Sequence, residues 1–318
     1  TVDVEQAGPL FNFFPSLLQH YGKASSLHDS ALDILLEYVA LYLAAPGGVA
    51  QLEAHHGPLL VLCRQGLEAA AAQREGQDSS GEVCLRLVQL VLANTRRPES
   101  LAALREIASP LLRLWCTTFH AKASPASLKF PLHALCQVFC AWYVHHTQDF
   151  AQQLCAAGAN AAHAAGLLVA SCKLVRPIAL RASLLAVAAG IVAEEGAVMD
   201  EAFWGGFFQC CNEIINSAQK KGPSSLLSQT LQAMKSSLAT KLPMATRSAG
   251  ELQCSIVPGE LRQALREDGT LDEATVVRWL FGLLAGALRV LGTKGTNVQG
   301  LLGAAPEQVQ GALRSAGL

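Results

Sequence analysis

A short triplet recurs in front of three apolar runs, and this self-similarity limits the fold more than any other feature of the chain. Gly8-Pro9-Leu10 opens FNFFPSLLQHYG, Gly57-Pro58-Leu59 opens LVLCRQGLEAA, and Ser109-Pro110-Leu111 opens LRLWCTTFHA. The prolines stand 49 and 52 residues apart. Proline is tolerated in a first helical turn, where its missing N–H would have no intrahelical partner anyway, so each triplet predicts the start of an apolar helix.

The segments ahead of the second and third triplets match as well. Residues 30–56 and 82–108 each read as a long amphipathic helix, a Pro-containing break and a shorter helix. Leu32, Leu35, Leu36, Val39 and Leu43 fall at helical spacing. Ser79 with Glu82 reads as a capping box before the second long helix. Residues 128–172 and 178–219 continue the theme, so final-helix positions recur near residues 10, 59, 111, 161 and 204. A period of 43–52 without strand-like alternation predicts an all-α chain of stacked helical hairpins or triplets.

The unit of amphipathic helix, short break, short helix, Gly and apolar helix resembles an armadillo repeat, with HEAT repeats a near neighbour. PGGVAQLEAHHGPLLVLC and DFAQQLCAAGANAAHAAGLLVAS are most similar to the armadillo junction, and the likeness covers residues 8 to about 219. The resemblance implies an α-solenoid. It sets residues 1–219 as about four to five repeats and 220–318 as atypical helical repeats and a cap, continuous with the solenoid. Nuclear-import adaptors of this fold grip basic peptides with Trp-x-x-x-Asn pairs. Here Trp115, Trp142, Trp204 and Trp279 are followed at that spacing by Phe119, His146, Phe208 and Leu283, so that role is not expected.

Composition narrows the function classes. The chain has 24 Lys or Arg and 25 Asp or Glu in 318 residues, where an ordinary soluble protein would carry roughly 80 charges. A net charge of −1 and 51% hydrophobic residues exclude a disordered chain and any general case for nucleic-acid binding. Ten cysteines, mostly inside apolar runs, point to a reducing intracellular compartment. The location is cytoplasmic, or mitochondrial or organellar if the start at Thr1 reflects presequence removal rather than trimming. No transmembrane segment is expected, because Arg181 with Glu194-Glu195, and Arg278 with Arg289, close the longest apolar runs.

No catalytic constellation emerges, and no enzyme, cofactor or metal is expected. His133, Cys136 and Cys140 share one helical face but lack the second ligand pair a structural zinc site draws on, so they read as core. Cys210-Cys211 read as one buried and one interfacial thiol, not a redox pair. Gly292–Gly300 has the wrong spacing for a phosphate loop and reads as a surface loop.

The expected function is a noncatalytic protein–protein interaction scaffold, a structural or accessory subunit of a larger complex whose partners cover an unusually apolar surface. The alternatives are a HEAT-type nuclear-transport receptor fragment and a reversible cytosolic armadillo adaptor. Candidate partner contacts are Trp115, Trp142, Tyr143, His145 and His146, because aromatics dominate interface energetics. Lys220, Lys221, Lys235 and Lys241 join them, from a stretch without acids. Within it, residues 223–242 carry Leu227, Leu231, Met234 and Leu238 on one face, a form suited to an acidic partner or a membrane surface.

Overall fold

A computed structural model describes residues 32–36, 39, 53, 56–72, 80–94, 97–120, 132–176, 178–196, 199–220 and 273–318. These residues are mostly helical, and no strand occurs among them. In chain order the helices are α1 (His56–Ala72), α2 (Ser80–Asn94), α3 (Pro98–His120), α4 (Leu132–His145), α5 (Thr147–Ala156) and α6 (Ala161–Cys172). There follow α7 (Ile178–Glu195), α8 (Glu201–Lys220), α9 (Glu273–Thr293), α10 (Val298–Ala304) and α11 (Glu307–Ser315). The chain forms two compact units, which meet in sequence between Gln153 and Leu154. That division lies inside the 1–219 stretch, and residues 273–318 belong to the second unit together with α6, α7 and α8.

In the first unit α2 packs against both α1 and α4, and α3 packs against all three. A helix that is apolar all round has to be buried, and α2 is: from Val83 to Ala93 only Arg86 reaches solvent. Gly66 of α1 lets the two helices approach closely, since a Cβ there would overlap the Cys84 sulfur of α2. Pro58 lies in the first turn of α1, as its triplet predicts.

Pro110 does not open a helix. It sits inside the 23-residue α3, contrary to the expectation from its triplet. The buried stripe of α3 explains why. Leu104, Ile107, Ala108, Leu111, Leu112, Trp115 and Cys116 keep helical register straight through the proline, which itself faces solvent. On that side water can take the carbonyl that the missing N–H leaves unpaired, and the bend a proline imposes opens outward.

Six polar contacts in this unit join residues 42–54 positions apart. Arg97 pairs with Glu53, Arg105 with Asp149, and the Ser109 hydroxyl donates to Gln153 Oε1 at 2.9 Å, each across 44 residues. Arg64 pairs with Glu106 across 42. His133 meets Glu82 across 51, and His146 meets Leu92 O across 54. Glu82 bonds Arg86 and His133; Ser79, its expected capping-box partner, lies outside the described residues.

In the second unit α7 packs against α6, α8 and α9, and α11 packs on α8 and α9. Gly158, at φ 78°, turns the chain into Asn160, whose side chain caps α6 by accepting from His163 N. Asp200 caps α8 in the same way through Phe203 N at 2.7 Å. The polar loop after α9 fastens this unit together: Lys294 Nζ donates to Ala193 O and Glu194 O at the end of α7, at 2.7 and 2.9 Å. Arg289 donates likewise to Ala316 O and Gly317 O after α11. Within α9, Val276–Thr293 is long and apolar enough to cross a membrane by length and composition, although the sequence reading closed this run at its arginines. Here the segment packs along α7.

Candidate functional site

The aromatic candidates of the first unit divide by depth. Trp115 and Trp142 are 0% exposed, so they are core rather than surface contacts, a correction to their expected role. The reason is their place on the helix faces. Trp115 continues the buried stripe of α3 and meets the Phe139 ring at 4.9 Å between centroids. Trp142 packs edge-on against Phe150, and its indole N–H donates to Asp149 Oδ2 at 2.8 Å. Asp149 also holds Arg105, so one buried carboxylate in the first turn of α5 joins α3, α4 and α5.

Tyr143, His145 and His146 are half-buried. The Tyr143 carbonyl accepts from Thr147 Oγ1 at 2.7 Å, and its ring stands edge-on to Phe150. His146 Nε2 lies 2.9 Å from Leu92 O; a carbonyl only accepts, so this nitrogen carries the proton. Val144 beside them is exposed. Lys220 is the last residue of α8. Lys221, Lys235, Lys241 and the amphipathic 223–242 stretch lie outside the described residues.

The second unit carries a feature that the sequence reading missed. An open groove of about 470 Å³ runs between α6 and α8. Ala162, Gly166 and Ala170 floor it at four-residue spacing on α6, and Ala202, Phe203 and Gly206 line it from α8. Met199 and Asp200 line it from the turn before α8, and Lys173 borders it just beyond the C-terminus of α6. Small side chains on facing helices leave room that larger ones would fill, but their helical spacing is the same for a groove as for close helix packing. Behind this lining, Trp204, Phe207 and Phe208 form an aromatic cluster with ring centroids 5.6–5.9 Å apart.

The cysteines are almost all interior. Nine lie among the described residues, none in a disulfide, and only Cys155 is exposed. Cys210 and Cys211 are both buried, which corrects the expectation that one faces an interface. Burial pushes the Cys63, Cys140 and Cys211 thiols well up, and Cys116 up to about 11, so these four stay protonated and inert. Cys172 and Cys210 differ. Cys172 is pushed up by Cys210 and by burial, whereas Cys172, Lys173 and Arg181 hold Cys210 below the ordinary thiol value against burial and Glu213; the Cys172 thiol itself donates to Arg181 O at 3.7 Å. Arg181 is in turn bound to Glu213 at 2.6 Å.

Among the described residues no three His, Cys, Asp or Glu side chains converge as metal ligands. The arrangement offers packed helices and an open groove. These helices define an all-α protein. No family model, curated protein or solved structure matches the chain.

Proposed function

We propose that the chain is a noncatalytic protein–protein interaction scaffold, built as an armadillo/HEAT-like α-solenoid and acting as a structural or accessory subunit of a larger assembly. The observation that carries this reading is the run of contacts at fixed separation. Glu53 to Arg97, Arg105 to Asp149 and Ser109 to Gln153 each join positions 44 residues apart, a separation within the 43–52 period read from the sequence. Contacts at a repeated separation are what stacked repeats require, since each repeat contacts chiefly its neighbours. Tyr143, Val144, His145 and His146 then serve as partner contacts in the first unit, and the α6–α8 groove in the second.

The test is size-exclusion chromatography with light scattering, on the chain alone and on the chain isolated under native conditions from its own cells. A subunit co-elutes with the same proteins at a fixed ratio and loses monodispersity when separated from them. A stable monodisperse monomer with no fixed-ratio companion refutes the assembly role.

A further inference from the structure

We infer that the groove between α6 and α8 takes an α-helix of a partner protein, laid parallel to α8 with a carboxylate in its last turn against Lys173. The inference rests on the scaffold reading above and adds the chemistry of the partner at this surface. A small molecule is held by a pocket that encloses most of it. An open trough between two helices suits a third helix instead.

The floor is low because Ala162, Gly166 and Ala170 put almost no side chain into it. A Cβ added at Gly166 would meet nothing within 4 Å. Val169, Met199 and Phe203 supply apolar contact along the sides. From Ala162 to Ala170 the floor runs about 12 Å, a little over two helical turns. Over that length a helix presents apolar anchors at i, i+3, i+4 and i+7. Small residues alone would not identify an occupant. The charges at the two ends do.

Lys173, exposed, caps the C-terminus of α6, and its Nζ lies 3.5 Å from where a Gly206 Cβ would stand. Among the described residues no carboxylate pairs with it. Asp200 lines the other end, just ahead of α8 and about 9 Å from Gly206 along the helix axis. Glu201, also exposed, follows it. The trough is thus negative at one end and positive at the other, with apolar walls between. These full charges exceed the half-charges that the ends of α6 and α8 carry beside them. A helix is polar in the complementary sense, partly positive at its first N–H groups and partly negative at its last carbonyls. With its N-terminus by Asp200 and its C-terminus by Lys173, it meets opposite charge at both ends. The reverse direction meets like charge at both. An acidic side chain in its last turn supplies the anion that Lys173 lacks, and a leucine stripe fills the space over Gly166.

The test titrates the full chain, by fluorescence anisotropy, with two synthetic peptides. Both carry leucines at i, i+3, i+4 and i+7, an amidated C-terminus and a hydrocarbon staple on the opposite face that holds them helical. One has glutamate in its last turn and the other lysine. The native chain should bind the glutamate peptide about tenfold more tightly, and Lys173→Glu should reverse the preference. Gly166→Leu places a side chain in open space and removes a mid-helix glycine, so it folds at least as well as the native chain. It should weaken the glutamate peptide by about tenfold or more. The inference is overturned if the native chain binds neither peptide or binds both alike, or if Gly166→Leu leaves the affinity unchanged. It is overturned too if sedimentation shows the chain pairing with itself and Gly166→Leu separating the copies, since the occupant is then a second copy. Each of these results leaves the scaffold reading standing, because that reading fails only where the chain has no fixed-ratio companions.

Discussion

Replacing Asp149 with alanine tests the packing of the first unit most directly. Its carboxylate is 7% exposed, against 39% for the Arg105 side chain it binds, and Trp142 behind it is 0% exposed. The alanine variant leaves the Trp142 indole N–H buried without a partner, which costs about 1–3 kcal/mol. The lost ion pair adds about 0.5 kcal/mol, because Arg105 is largely solvated. Loss of negative charge from the first turn of α5 adds about 0.5 kcal/mol more. The sum is about 2–4 kcal/mol, a fall in melting temperature of about 5–12 °C for a unit of this size. Asp149→Asn keeps an acceptor for the indole and should cost about 1 kcal/mol. Urea unfolding followed by tryptophan fluorescence reads both, and a double-mutant cycle with Trp142→Phe isolates the indole bond. In the Phe background Asp149→Ala should cost about 1–2 kcal/mol less. A cost below about 0.5 kcal/mol in the native background, or a fully additive cycle, would refute the argument that this carboxylate ties three helices together.

Two further outcomes follow from the first unit. Gly66→Ala drives a methyl into the Cys84 sulfur and should destabilise by about 1–3 kcal/mol; Cys84→Ala in the same chain should relieve most of that, and equal cost in both backgrounds would show that α1 and α2 are not so closely apposed. Glu82 is pushed up by burial, but the His133 hydrogen bond and Arg86 outweigh this and hold its carboxyl below the ordinary 4.5. A depressed carboxyl stabilises above its unfolded pKa, and the contribution is lost as pH falls through the folded value. Acid unfolding should therefore be shallower in Glu82→Gln than in the native chain below pH 4.5, and superimposable acid limbs would dismiss the contribution.

What the sequence conveyed was the part of the structure that periodicity encodes. The helical spacing of Leu32, Leu35, Leu36 and Val39, all four buried, is such a linear pattern. The helix break expected at Pro110 was a local rule overridden by a longer one. Proline at an exposed position costs a helix less than losing a seven-residue buried stripe would. Trp115 and Trp142 were ambiguous for a different reason: aromatics serve cores and interfaces alike, and only the helix faces show which. The groove was illegible, because the four-residue spacing of Ala162, Gly166 and Ala170 is the same whether small residues line a groove or pack against a neighbouring helix.

The attachment of residues 273–318 has a consequence for how the chain can vary over evolutionary time. Lys294 and Arg289 hold main-chain oxygens, at Ala193 and Glu194 and at Ala316 and Gly317. Every amino acid carries such an oxygen, so the side chains at Glu194 and Ala316 are free to drift without weakening the joint. Lys294 and Arg289 have no such freedom. The fastening is therefore one-sided in inheritance: among descendants of this chain, selection would preserve two basic residues, with no compensating changes at the positions they bind.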